Sequence, residues 1–179
     1  MRIEGLIMAN IKILEGDITK AKVDVIVNAA NPMMLGGGGV DGAIHAAAGA
    51  KLLEECRKVK VIDGVRCPFG EARITLAGNL PSKYVIHTAG PIYRQEKDPE
   101  SILISAYQNS LKLAIENGCR SIAFPAISCG AYGYPVRDAA NIAIQSCSQN
   151  EFREVEIYFY LFGAKMVELW QSVLVHKSK

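Results

Sequence analysis

Apolar and polar positions along this chain follow two alternating periods. Six short runs rich in Val, Ile, Phe and Tyr have the length and composition of strands: IKILEG (11–16), VDVIVNAA (23–30), ARITLAG (72–78), YVIHTAG (84–90), SIAFPAI (121–127) and EVEIYFYLF (154–162). Between them lie VDGAIHAAAG (40–49), AKLLEECRKV (50–59), SILISAYQNSLKLAIENG (101–118), YPVRDAANIAIQSCSQN (134–150) and AKMVELWQSVLVHK (164–177). These five repeat apolar residues at three- and four-residue steps, the period of a helix with one buried face. Asn117-Gly118 is a helix stop, and Pro135 suits a first helical turn. VIVNAA and SIAFPAI are apolar on both faces, as expected of strands covered by helices on both sides. The pattern therefore predicts an α/β protein, a three-layer α/β/α sandwich around a mostly parallel sheet.

Composition narrows the possible partners. The 179 residues suffice for one domain with its own core, no stretch reads as a linker, and the expectation is a single domain over 1–179. Half of the residues are apolar and 21% are charged, too hydrophobic for a disordered chain. The net charge is +2, and the largest local excess of basic residues is Arg57, Lys58 and Lys60, so no basic stripe follows a nucleic-acid backbone. Nucleic acid ranks low as a partner. The N-terminal MRIEGLIMANIKILEGD carries Arg2, Glu4 and Lys12 and no apolar run near ~20 residues, so neither a signal peptide nor a membrane span is expected. Cys56, Cys67, Cys119, Cys129 and Cys147 are an odd number without a CxxC pair. That count points to a reducing compartment and away from a disulfide framework or a four-ligand metal site. The expectation is a soluble, cytoplasmic protein with no metal and no cofactor.

Ligands of parallel α/β sheets collect at the carboxyl ends of the strands, so the loops there carry the chemistry. NAANPMMLGGGGVDGAIH (28–45) sets Gly36 to Gly39 after a strand and before a helix. Its backbone can approach a ligand closely, and the helix offers free N–H groups and a positive dipole end, which together form an anion site. Gly37, Gly39 and Gly42 also satisfy a dinucleotide fingerprint, but Asp63 is a poor candidate for its acidic ribose ligand, and no Lys-Ser/Thr follows as in a nucleotide hydrolase. A second loop, Ser128, Cys129, Gly130, Ala131, Tyr132, Gly133, opens another helix, and two such loops can grip the two phosphates of a pyrophosphate. Tyr132 can cover a sugar ring. Asp17 can accept from an exocyclic amine or cap a helix, and Phe162 can stack on a base or sit in the core.

A nucleophilic triad fits poorly: Cys129 has no promising partner, His87 lies within a strand, His176 lies near the C-terminus, and His45 follows Asp41 by one helical turn. Asn31 and Asp41 remain, both attached to the glycine loop. A carboxylate beside a pyrophosphate is repelled by it, so it needs another task or serves only the helix dipole. Asp41 can accept a hydrogen bond from a water and aim it at an electrophile, while Asn31 can hold a ribose hydroxyl.

GDIT (16–19), VNAAN (27–31), LGGGGVDGAIH (35–45), CPFGEARIT (67–75), YVIHTAGPIY (84–93) and SCGAYGYP (128–135) together resemble a macrodomain of the MacroD type, over nearly the whole chain. The resemblance implies a three-layer sandwich with a mixed sheet that binds one ADP-ribose. It further implies hydrolysis of esters on the distal ribose, removing ADP-ribose from acidic side chains or deacetylating O-acetyl-ADP-ribose, by water attack without metal. It assigns Asp41 and Asn31 as the catalytic pair, Asp17 and Ile18 to the adenine, and Gly39, Val40 and Asp41 to the distal phosphate and ribose. Ser128, Cys129, Gly130, Ala131 and Tyr132 would wrap the pyrophosphate, and Phe162 would stack on the adenine. Expected partners are ADP-ribose and its esters, including ADP-ribosylated proteins, with nucleic acid entering only as an ADP-ribosylated substrate. Ala46, Cys129 and Gly163 depart from residues common in the family. The competing reading is a module that binds ADP-ribose and does no chemistry.

Overall fold

The computed structural model describes residues 10–178. Arg2 and Glu4 of the N-terminal stretch lie outside the described residues. Six strands, β1 (Ile11–Glu15), β2 (Val25–Ala29), β3 (Ala72–Leu76), β4 (Tyr84–Thr88), β5 (Ser121–Phe124) and β6 (Glu156–Leu161), form one sheet. Five helices accompany them: α1 (Gly39–Ala48), α2 (Ala50–Lys58), α3 (Pro99–Glu116), α4 (Val136–Cys147) and α5 (Ala164–Lys177). Each run read from the sequence becomes the element it predicts, with ends shifted by three residues or fewer. SIAFPAI stops early as a strand because Pro125 has no N–H to give a neighbouring strand.

The strand order is β1-β6-β5-β2-β4-β3, parallel except that β3 runs antiparallel to β4. Side-chain alternation then decides the layers. Val25, Val27, Ile86, Ile122 and Phe124 point into a core closed by Leu103 and Tyr107 of α3, Ala140 and Ile144 of α4, and Trp170 of α5. Aromatic rings fill its centre, with Phe124 stacked on Phe159 at 5.7 Å between centroids and Trp170 5.1 Å beyond. Ile26, Val85 and Ala123 point the other way, onto Ile44 and Ala48 of α1 and Leu52 and Cys56 of α2. The result is the expected three-layer sandwich. Among the described residues no helix is long and apolar enough to cross a membrane.

The same alternation sends Asn28 and His87, paired side by side in β2 and β4, toward α1 and α2. Both are fully buried. His87 Nδ1 lies 3.2 Å from Asn28 Nδ2. An amide nitrogen only donates, so Nδ1 accepts and the proton sits on Nε2, 3.0 Å from Thr75 Oγ1. Burial, and after it the nearby His45, push the His87 imidazole down to about 3, so the ring is neutral.

Three outcomes are expected from this packing. Trp170→Ala should lower the unfolding free energy in urea by about 3–5 kcal/mol, because it empties the centre of the larger core. Phe162→Ala, at a residue 69% exposed, should change it by no more than about 0.5 kcal/mol. His87 binds its proton more readily unfolded than folded. Stability should therefore fall as pH drops below ~6.5, by about 1.4 kcal/mol per pH unit toward the folded value. The specific readout is NMR: the His87 ring shifts should stay flat from about pH 8 to about pH 5, and a midpoint within that range would show a charged ring.

Candidate functional site

At the carboxyl ends of the parallel strands the loops after β1, β2, β5 and β6 surround a cavity of about 590 Å³. That volume suits a nucleotide-sized ligand. Ile18, Asn31, Gly39, Val40, Asp41, Ser128, Cys129, Gly130, Ala131, Tyr132 and Phe162 all line it. Of the residues that the resemblance assigns to the ligand, Asp17 alone is outside the lining. Its Oδ1 accepts from the Thr19 amide at 2.9 Å and the Thr19 hydroxyl at 2.7 Å, capping the short turn Ile18–Lys20 that places Ile18 at the wall. Those two bonds hold its carboxyl below the usual value. Phe162 is not core; it stands exposed at the rim.

Two rows of backbone N–H groups belong to residues that line this space. Gly37 to Asp41 donate to no acceptor among the described residues, since α1 has no side-chain cap and its first intrahelical bond begins at Gly42 N. Gly130, Ala131 and Tyr132 are likewise without an acceptor. Unpaired N–H groups at a helix start attract anions, and the dipole of α1 adds to the attraction. The close fit of loop and helix requires glycine at position 42 and leaves little room at position 37. A β-carbon on Gly42 would lie 2.7 Å from Gly37 O, and one on Gly37 would lie 3.0 Å from Asp41 Oδ2.

Asp41 is almost fully buried in the first turn of α1. Its Oδ1 accepts from Asn28 Nδ2 at 2.7 Å. His45 Nε2 lies 3.4 Å from the same oxygen but makes no hydrogen bond. Oδ2 is left toward Gly37 and the cavity, where the same hypothetical Gly37 β-carbon would also be 3.5 Å from Asn31 Nδ2. Asp41 and Asn31 thus border one small volume. Asn31 also shapes the loop: Oδ1 accepts from Met33 N at 3.0 Å and Met34 N at 3.2 Å, while Nδ2 donates to Gly36 O at 3.0 Å. One Nδ2 hydrogen remains for a ligand. Burial, then the charge of Asp41, raise the Tyr132 hydroxyl pKa.

Asn28 escaped the reading of the sequence. Its signal is an amide inside the otherwise apolar VIVNA, because a buried amide must find a partner. Cys129 Sγ lies 3.7 Å from Ile127 O, and burial pushes its thiol up to about 11, the reverse of what a nucleophile needs. His176 lies in the last turn of α5, outside the cavity lining. Among the described residues no three His, Cys, Asp or Glu side chains are grouped to hold a metal ion.

Comparison with known proteins agrees with this geometry. The chain is 57% identical over 167 residues to a Macro domain-containing protein of Vibrio parahaemolyticus, covering 93% of this chain and 98% of that one. It is 49% identical over 172 residues to an O-acetyl-ADP-ribose deacetylase of Escherichia coli, covering 94% and 97%. The solved macrodomain of Oceanobacillus iheyensis with ADP superimposes with a TM-score of 0.87 at 44% identity, over 92% of this chain and 89% of that one. Residues 27–143 match the Macro domain family, the stretch that holds the glycine loop, the buried Asp41 and the second loop, and this chain belongs to that family.

Proposed function

We propose that this protein is a hydrolase that binds ADP-ribose and cleaves esters on its distal ribose, with Asp41 positioning the attacking water. The observation that carries the reading is the orientation of the Asp41 carboxylate: Oδ1 is fixed inward by Asn28, and Oδ2 is left beside the cavity with no protein donor among the described residues. The two rows of free N–H groups suit the two phosphates, and the apolar rim at Ile18 and Phe162 suits the adenine. The E. coli relative is named for deacetylation of O-acetyl-ADP-ribose, and the O. iheyensis relative holds ADP, which shares the adenosine diphosphate part of that ligand.

In this mechanism a water hydrogen-bonded to Asp41 Oδ2 attacks the ester carbon, and the carboxylate takes the proton that the water loses. The ester C–O bond breaks, and the departing oxygen receives that proton back from Asp41, which regenerates the carboxylate. Asn31 Nδ2 holds a hydroxyl of the distal ribose and fixes the electrophile, and Tyr132 covers the sugar. Asn28 acts only through Asp41, as a positioning residue. The substrate is then either an acyl ester of ADP-ribose itself or ADP-ribose esterified to an acidic side chain of a protein; a modified nucleic-acid end offers the same bond. We place the protein in the cytoplasm, a reading supported by its five free cysteines, none in a disulfide.

One observation favours a purely binding module: both ends of the Asn31 side chain already serve the loop. Two variants separate the readings. Asp41→Ala should keep ADP-ribose affinity by calorimetry, or strengthen it by removing repulsion, while release of ADP-ribose from a glutamate-modified protein and deacetylation of O-acetyl-ADP-ribose fall by roughly 10²–10⁴-fold. Full activity in Asp41→Ala would defeat the mechanism. Asn28→Ala should lower turnover in the wild-type background and have no further effect on the residual rate of Asp41→Ala, because it works through that carboxylate. Additive losses in the double variant would show that Asn28 acts by another route.

A further inference from the structure

His87 is fully buried and outside the cavity lining, yet its Nδ1 lies 3.2 Å from Asn28 Nδ2, the atom that donates to Asp41 Oδ1 at 2.7 Å. An ionised carboxylate only accepts, so the amide must turn its nitrogen toward Asp41. The same nitrogen then faces His87, and its second hydrogen finds an acceptor only where Nδ1 carries no proton. On the far side of the ring, Nε2 meets Thr75 Oγ1 at 3.0 Å and Cys56 Sγ at 3.7 Å. Thr75 lies on the edge strand β3, two positions along from Arg73, the residue paired with His87. A hydroxyl oxygen accepts from an N–H well and a thiol sulfur weakly, which makes Thr75 the group that keeps the proton on Nε2.

A second observation shows that this orientation is imposed on the amide. Asn28 Oδ1 is buried and has no hydrogen-bond partner among the described residues. A buried carbonyl oxygen without a donor is unfavourable, so the amide is held against its own preference. Turned over, it would set Oδ1 against the Asp41 carboxylate, and a His87 protonated on Nδ1 would donate to that oxygen and keep it there. The position of one ring proton thus selects between two arrangements. In the second, Asp41 Oδ1 loses its donor, and His45 Nε2, 3.4 Å away, makes no hydrogen bond to replace it. Nothing would then fix the direction of Oδ2.

We propose that His87 is a positioning residue for ester hydrolysis: held by Thr75 with its proton on Nε2, it keeps the Asn28 nitrogen on Asp41 and so keeps Oδ2 aimed at the attacking water. The ring neither gives nor takes a proton in the reaction. Burial, and after it His45, keep it neutral, as this role requires. Neither His87 nor Thr75 lines the cavity, so ADP-ribose affinity should not depend on them. The effect on catalysis rests on the ester-hydrolase reading; the place of the ring proton does not.

The test combines NMR of the whole protein labelled with ¹⁵N-histidine and a pair of variants at Thr75. In the wild type, long-range proton–nitrogen correlations should show His87 Nε2 protonated and Nδ1 bare. Thr75→Val keeps the shape of the side chain and removes the acceptor. It should bring in the Nδ1–H form and lower kcat for O-acetyl-ADP-ribose by roughly three- to tenfold, with KM and ADP-ribose affinity unchanged. Thr75→Ser restores the hydroxyl and should restore both the ring signals and kcat. In the Asn28→Ala background Thr75→Val should cost nothing further, because it acts through that amide. The proposal is overturned by a wild-type ring protonated on Nδ1, by wild-type kcat in Thr75→Val, by equal losses in the Val and Ser variants, or by additive losses with Asn28→Ala. A wild-type protein that cleaves no ADP-ribosyl ester defeats the hydrolase reading and this inference with it, whereas an active wild type matched by Thr75→Val defeats this inference alone.

Discussion

A carboxylate buried at the start of a helix, next to N–H groups that attract anions, stays in place only if the protein holds it from behind. Asn28 does this for Asp41 at 2.7 Å, from near the carboxyl end of β2. A hydrogen bond to a charged group contributes about 1.5–3 kcal/mol, and losing it would leave buried charge unpartnered. The second Asn28 hydrogen goes to His87 Nδ1, and the His87 Nε2 proton points toward Thr75. Thr75, His87 and Asn28 sit on β3, β4 and β2, neighbours in the sheet, so the carboxylate is tied through three strands. Each member constrains the next: the ring must be neutral for Nδ1 to accept, and the amide must present its nitrogen for both bonds to form.

The two faces of the sheet divide the work. The aromatic core under α3, α4 and α5 gives a rigid floor, while the face under α1 and α2 admits the polar row because the helix above it supplies Asp41. Parallel strands end together, which brings four loops to one rim. Strain collects there. Ser128 has a φ of 66°, a left-handed conformation for a residue with a side chain, and it is held by its own Oγ donating to Pro91 O at 2.8 Å and by Tyr134 N donating to its carbonyl at 2.9 Å. Those bonds fix the start of the loop whose residues 130–132 line the cavity with N–H groups that have no acceptor among the described residues.

The elements were legible because their signals are local. Alternation at two residues and at three to four marks strands and helices, and the unbroken apolar runs show which strands are covered on both faces. The cavity lining was legible for a related reason: loops at strand ends are identified once the strands are, and glycines at two of them mark close backbone approach. Phe162 shows where this stops. Its strand is among the most apolar in the chain, yet β6 ends at Leu161 and the next residue projects outward at the rim. Asp17 was open between cap and ligand contact; the structure makes it the cap of the short turn.

Periodicity and turn residues by themselves determined the order of strands and helices, the sandwich, and the gathering of the glycine loops at one edge, since these depend on neighbours a few residues apart. Only the tertiary structure decided which polar groups meet. Asn28 lies 13 residues from Asp41 and 59 from His87. Such pairings depend on strand register and helix placement, which burial of the whole core fixes, and no window of sequence contains them.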